Sequence, residues 1–586
     1  MSQVVRHSDE TRPLLHDRDA RPQSYRSATS SRTQSPEPGD PPVLNKVSRS
    51  DLMWVLAGLW SAVFLGALDG TIVATLLSPI GSYFNESNRS SYIGTSYLLS
   101  VCCFTPLYGR LSDILGRKGA MLLALSFFGV GTLLCGLAPS MDALIAARAL
   151  AGMGGGGVMT VSSVAVTDLI PLRQRGLYQG MTNILFGLGA GLGGPLGGWM
   201  NDYLGWRSAF LLQMPILVFS FVLVALKVSI RLPDEVQNQS VRAKLRRIDV
   251  FGSFTLVGMV GCLLLGLSLK STEELPWSHP IVWGLLLASV VFGAAFIWVE
   301  TCYSPYPVMP MRLVKQRTPL FVSLSNFFGS VAAFSMIYNV PLVRAPVCDL
   351  LHRTPTDDRA ALPGMHLLPH SVRIPRAPPM EPEPPISPSL VMRRTGKLYT
   401  LTLCSCLMTV VAASLVAMWN DNSATWHLWL DIVPQGFGMA SVITTTLIAM
   451  IAGVSREDVA VATGITYLFR TTGQVIGVSL SGALLQSILT SKLRERIHGP
   501  HAVEIIENIR HSTTIIPELS PELRKAAVDS YADALRVVFI CQAAMNFICF
   551  LCCLPIQENP LPGSHEEQEE AWKQRDTNRT QAAESS

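Results

Sequence analysis

Four charged residues stand inside long apolar stretches and are the first candidates for chemistry: Asp69, Arg148, Asp431 and Arg470. A carboxylate in hydrocarbon costs at least about 2.5–3.5 kcal/mol unless it faces a partner or water, so an intramembrane acid is a candidate for carrying a proton or holding a cation. Asp69 lies about 22 Å along its run from Trp54, and Arg148 lies roughly 10 Å inward from Met141 on an adjacent pass. The two sit at similar depth and could pair or share a proton. A purely structural helix-to-helix hydrogen bond is the alternative for Asp69. Asp431, near the end of the run before Arg470, is a plausible counter-ion for it. Asn326 and Tyr338 read equally well as substrate contacts and as packing polar residues. No nucleophile stands beside a base and no spacing suggests a metal or cofactor, which argues against an enzyme. The twelve cysteines fall mostly in apolar runs, and Cys549, Cys552 and Cys553, without histidine partners, read as packing residues. A run Gly152-Met153-Gly154-Gly155-Gly156-Gly157 matches a nucleotide-binding spacing, but no strand precedes it, and close helix approach explains it better.

The elements that position these residues are set out around Gly109-Arg110-Leu111-Ser112-Asp113-Ile114-Leu115-Gly116-Arg117-Lys118. Its bases cannot rest in hydrocarbon, so it reads as a short loop between two spans, on the cytoplasmic face by the excess of Lys and Arg. Gly109 and Gly116 are expected to turn the backbone at its two ends. Asp113, an acid among bases, is expected to find its partner on another element, with a helix N-terminus as a candidate.

The chain has 586 residues, 49% hydrophobic and 15% charged, with a mean hydropathy of +0.33. A soluble domain carries about 25% charged residues. A net charge of +4 is too small to imply nucleic acid. Thirteen apolar runs are long enough to cross a bilayer, at about 20 residues each: 52–80, 92–108, 119–138, 142–167, 176–200, 208–229, 249–269, 279–300, 319–342, 398–419, 426–454, 459–489 and 536–556. Arg173 and Arg175, then Arg242 to Arg247, then Arg312 to Arg317 mark the loops on the side of Arg117 and Lys118, which puts the N-terminus in the cytoplasm. Asn85 and Asn88 begin glycosylation sequons on the other side.

The 109–118 stretch resembles the loop between spans 2 and 3 of the major facilitator superfamily. Leu68-Asp69-Gly70-Thr71-Ile72-Val73 resembles the first-span signature of its fourteen-span drug:proton antiporter branch, and with Ala67, Ala74 and Thr75 is closest to the fungal vacuolar basic amino acid permeases. Arg148-Ala149-Leu150-Ala151-Gly152-Met153-Gly154 resembles the fourth-span motif implicated in proton coupling. Gly194-Pro195-Leu196-Gly197-Gly198 resembles the antiporter motif, with Ala190 in place of an upstream glycine. Trp206-Arg207-Ser208-Ala209-Phe210 and Tyr467-Leu468-Phe469-Arg470-Thr471-Thr472-Gly473 resemble the fungal permeases again. The resemblance implies that Arg117 pairs with Asp168 in an inner gate, and that Asp113 meets the helix beginning near 459.

The expected fold is an all-α polytopic membrane protein, two six-helix bundles (51–230 and 319–556) joined by a linker at 231–248 and a two-helix insert at 249–300. Residues 1–50 and 557–586 read as disordered tails. Glu10, Leu14 and Leu15 resemble an acidic dileucine signal for a sorting adaptor. The resemblance fails at 343–392, where the family has its tenth span: Arg373 to Pro385 is too rich in proline for a membrane helix, so this span looks disrupted. As 13 crossings would invert every later span, something here must cross or the chain as written is inactive. The expected function is proton antiport of basic amino acids into the vacuole, by a monomer whose partners are a small cationic solute, protons and the bilayer. A drug:proton antiporter at the plasma membrane and a non-transporting relative are the alternatives.

Overall fold

The computed structural model describes residues 49–86, 89–170, 172–228, 248–272, 278–304, 307–351, 398–419, 427–455, 458–498, 501–511, 516 and 519–558. These all belong to one compact unit, Val43–Ser586. The tenth-span region, the sequon residue Asn88 and the sorting residues Glu10, Leu14 and Leu15 lie outside the described residues, as do the side chains of Tyr338 and Arg173.

Among the described residues the fold is all-α. The first half comprises α1 (Arg49–Phe84), α2 (Ser91–Leu137), α3 (Met141–Leu169), α4 (Leu172–Leu204), α5 (Ser208–Leu211) and α6 (Met214–Lys227). An apolar hairpin follows, α7 (Val250–Thr272) and α8 (Pro280–Trp298), closed by a π-turn at Val299–Tyr303. Buried Glu300 anchors this exit by accepting the backbone N–H groups of Val308 and Met309. The second half comprises α9 (Met311–Val314), α10 (Arg317–Leu351), α11 (Tyr399–Ala417), α12 (His427–Leu430), α13 (Val433–Gly453), α14 (Val459–Arg496), α15 (Ala502–His511) and α16 (Pro521–Cys553). Eleven of the described helical segments are long and apolar enough to cross a membrane. Backbone amides that water cannot reach are thereby paired within each helix.

The unbroken helix α2 is two passes. Gly116 holds a φ of 84° inside it, a left-handed value that costs a glycine little. A Cβ added to Gly157 would touch both Tyr108 and Ala124. These lie sixteen positions apart, about 24 Å in a straight helix, so the chain doubles back. Gly109, expected to turn as well, is helical. Its missing Cβ serves a close approach instead: it would stand 2.8 Å from the carbonyl oxygen of Ala460 and 3.2 Å from the Cα of Gly464. The face bearing this contact is called the Arg117 end, and the other the Trp206 end.

Side-chain bonds fix the directions in the second half. Cys549 Sγ donates to Ser325 O at 3.2 Å and Gln542 Nε2 to Ser335 Oγ at 2.7 Å, so α16 runs antiparallel to α10. Tyr399 Oη donates to Leu554 O at 3.0 Å and Asn546 Nδ2 to Thr409 O at 3.4 Å, so α16 is antiparallel to α11 as well. Helices α10 and α11 therefore run the same way, both starting at the Arg117 end. The chain leaves Leu351 at one end and resumes at Leu398 at the other, as the expected crossing requires.

Between the last two apolar runs, the described residues of 490–535 are largely helical. Helix α14 continues to Arg496, α15 follows, and α16 begins at Pro521. Leu489, Leu493, Ile506, Ile509, Tyr531 and Leu535 form a core that joins α15 to the span ends at Met336, Val340 and Val416. Runs of charge there hid a one-sided apolar stripe that only a helical period reveals.

Candidate functional site

The first half buries one ion pair completely. Arg148 Nη1, on α3, donates to Asp69 Oδ2, on α1, at 2.6 Å, with the two side chains 1% and 0% exposed. The guanidinium lies 4.2 Å from the centre of the Tyr97 ring, a cation–π arrangement strengthened by desolvation. Its Nε donates to Ile93 O at 3.4 Å. Asp69 Oδ1 is buried with no hydrogen-bond partner. The glycines of α3 build this pocket: a Cβ at Gly155 would stand 2.7 Å from the Tyr97 hydroxyl, and one at Gly152 would meet Tyr97 and Ser100.

The antiporter-like stretch lies on α4 against the same segment of α1. Cβ atoms on Gly193 and Gly197 would collide with Thr71, Ile72 and Thr75, and one on Gly189 with Phe64 and Ala67. The contact stripe is thus Gly189, Gly193 and Gly197 at four-residue spacing. Gly194, Pro195 and Gly198 are half-buried beside it.

At the Arg117 end, Arg117 joins two acids. Its Nη1 donates to Asp113 Oδ1 and its Nε to Asp168 Oδ2, each at 2.6 Å. Arg117 is buried, while the two acid side chains are about a quarter exposed. Asp113 therefore finds its partner inside its own stretch, because the reversal at Gly116 brings Arg117 back over it. The contact with the start of α14 falls to Gly109. Asp113 Oδ2 is buried and without a partner, and Lys118 is exposed. A second bond between the halves, Asn183 Nδ2 to Thr444 Oγ1 at 3.0 Å, lies between α4 and α13.

Asp431 is not the counter-ion of Arg470. Its carboxylate accepts from Trp419 Nε1 at 3.0 Å and lies 3.4 Å from His427 Nδ1, at the Trp206-end start of α13. Arg470 sits eleven residues into α14, which enters from the opposite end, so roughly 15 Å of depth separates them. Arg470 instead lies 5.5 Å from the Tyr467 ring. Buried Asn326 spends its amide hydrogens on Val322 O and on Thr446 Oγ1 at 3.0 Å, tying α10 to α13. Asn85 is exposed, just past the end of α1.

Sequence reasoning missed Arg175. Read as a loop base, it is fully buried in α4. Its Nη2 donates to Ser163 O at 3.2 Å, and Nε and Nη1 have no partner. The side-chain oxygens Ser162 Oγ, Ser163 Oγ and Gln179 Oε1 are likewise buried and unpartnered. The spacing of Arg175 and Gln179, one helical turn apart opposite a Ser-Ser pair, was the available signal. The thiols also differ from expectation: Cys549 and Cys553 gather with Cys406 from α11, which no local spacing reveals.

The family model of the Major Facilitator Superfamily matches residues 59–345. The multidrug resistance protein fnx1 of Schizosaccharomyces pombe is 37% identical over 86% of this chain and 92% of its own length. The chain belongs to the Major Facilitator Superfamily. Members of this superfamily are transporters, not enzymes. The vacuolar basic amino acid transporter 2 of Saccharomyces cerevisiae is 30% identical over 79% of this chain and 97% of its own length. The crystal structure of the human organic anion transporter MFSD10 shares the facilitator fold, with a TM-score of 0.52 at 14% identity over 88% of this chain and all of that one.

Proposed function

We propose that this facilitator is a proton antiporter that loads basic amino acids into the vacuole. The observation that carries the reading is the buried Asp69–Arg148 pair. The Arg117 end is the cytoplasmic face and the Trp206 end the lumenal one. A lumenal proton neutralises Asp69, which releases Arg148 from its partner and makes the two arrangements of α1, α3 and α4 unequal in energy. Loss of that proton to the cytoplasm re-forms the pair. The cationic amino acid crosses in the other direction, so one positive charge exchanges for another. Rocking of one half against the other presents the central cavity to each side in turn. The cytoplasmic contacts Gly109–Ala460, Gly109–Gly464 and Asn183–Thr444 mark the lumen-facing arrangement.

The name of the Saccharomyces cerevisiae relative supports the substrate class and the compartment. The name of fnx1 favours a second reading, drug export at the plasma membrane, for which Asp69 would serve equally well. Uptake of labelled lysine, arginine and histidine into isolated vacuoles, with and without this protein and with and without a protonophore, separates the two. Protonophore-sensitive uptake that requires the protein supports amino acid antiport. Unchanged uptake together with altered drug resistance of whole cells supports the second.

A further inference from the structure

We propose that Cys406, Cys549 and Cys553 form a binding site for one Cu(I) ion. The three sulfur atoms all lie within 4.8 Å of one another, and the Sγ atoms of Cys406 and Cys553 are 3.4 Å apart. Cys549 and Cys553 stand four residues apart on α16 and so share a face. Cys406 meets them from α11. All three are buried in the main apolar core of the second half. An ion about 2.3 Å from each of three sulfurs spaces them by about 4.0 Å, which this triangle reaches with changes in sulfur separation of less than about 1 Å.

The donor set chooses the ion. Structural zinc takes four ligands in a tetrahedron, and here three sulfurs converge with no imidazole or carboxylate in the cluster among the described residues. Soft thiolates select Cu(I). Cys549 Sγ donates to Ser325 O, which orients its sulfur from α10. A small cavity lined by Leu398, Tyr399, Thr402, Ile556, Gln557 and Glu558 reaches Cys553 from the Arg117 end. Binding would release the protons of the three thiols. The bound ion would staple α11, the first described helix after residue 397, to α16.

The test uses the full-length chain, purified in detergent, reduced and free of oxygen, titrated with Cu(I) against a chromophoric Cu(I) chelator. The expected result is one Cu(I) retained per chain, with a rise in melting temperature. Cys406→Ser and Cys553→Ser should each weaken retention at least tenfold, while Cys404→Ser, an exposed thiol on the same helix, should leave it unchanged. X-ray absorption on the loaded wild-type chain needs no variant and should show three sulfurs at about 2.3 Å. No retention of Cu(I), equal retention by the Cys406 and Cys553 variants, or a first shell without three sulfurs would overturn the site and leave the three cysteines as packing residues.

Discussion

Gly109 and Gly464 face each other across the two halves so closely that a methyl group on either would lie 3.2–3.3 Å from the Cα of the other. Glycine at 109 lets α2 and α14 meet there, because any Cβ would stand 2.8 Å from the Ala460 carbonyl oxygen.

Gly109→Val should therefore hold the Arg117 end apart. Its new Cβ would press on the Ala460 carbonyl oxygen at 2.8 Å, and backbone at that range yields only by separation. Spin labels at positions 118 and 315 should report a longer mean distance than in the wild-type chain, and vacuolar uptake should fall at least tenfold. An unchanged distance distribution would remove this contact from the gate.

The Asp69–Arg148 pair should show the asymmetry of buried ions. Asp69→Ala leaves a buried cation unpaired, at a cost of about 3–5 kcal/mol, so protein yield should fall along with transport. The double variant Asp69→Asn with Arg148→Gln should recover most of the stability, measured by thermal melting in detergent, and none of the proton-driven uptake. Restored uptake in the double variant would place coupling elsewhere.

At the gate, Arg117→Gln loses both of its acids at once, whereas Asp113→Asn and Asp168→Asn each lose one charged hydrogen bond, worth about 1.5–3 kcal/mol. Uptake should fall further for the arginine variant than for either acid variant. An equal loss in all three would mean that the three residues act as one unit, with neither acid able to hold Arg117 alone.

The shared direction of α10 and α11 predicts a labelling pattern. Nine described passes separate Gly109 from Gly464, yet both lie at the Arg117 end, and we propose a tenth crossing between Leu351 and Leu398. Single cysteines at positions 317 and 400 should react with an impermeant maleimide from one face of the membrane, and one at 418 from the other. Reaction of 317 and 400 from opposite faces would refute the crossing. We propose that a chain unable to make it is inactive, which sequencing of the transcript across these codons, together with uptake by its product, checks.

Much of this was legible in the sequence because a bilayer makes charge expensive. Asp69 and Arg148 stood out as isolated charges at matched depth, and the thirteen apolar runs marked helices that the structure contains. What stayed hidden depends on which helices become neighbours. Nothing local separates Gly109, which packs, from Gly116, which turns. Cys406 reaches Cys553 only once α11 lies against α16. Arg175 looked like a loop base because two residues beside it are also polar, and its burial follows from how α4 enters between α3 and the second half.

The block beyond the spans at the Trp206 end has a mechanical consequence. Helix α14 has 38 residues and α16 has 33, about 57 and 50 Å of rod against roughly 30 Å of hydrocarbon. Their overhangs share one core with α15, and Gly473 and Gly477 seat α14 on the backbone of α10. The overhang lies about 48 Å along α14 from the contact at Gly464, which rocking would open. With an arm of about 50 Å, each degree of rocking sweeps the tip by about 0.9 Å. A displacement too small to resolve at the gate is magnified on α15, where a reporter group would sense it from the aqueous side.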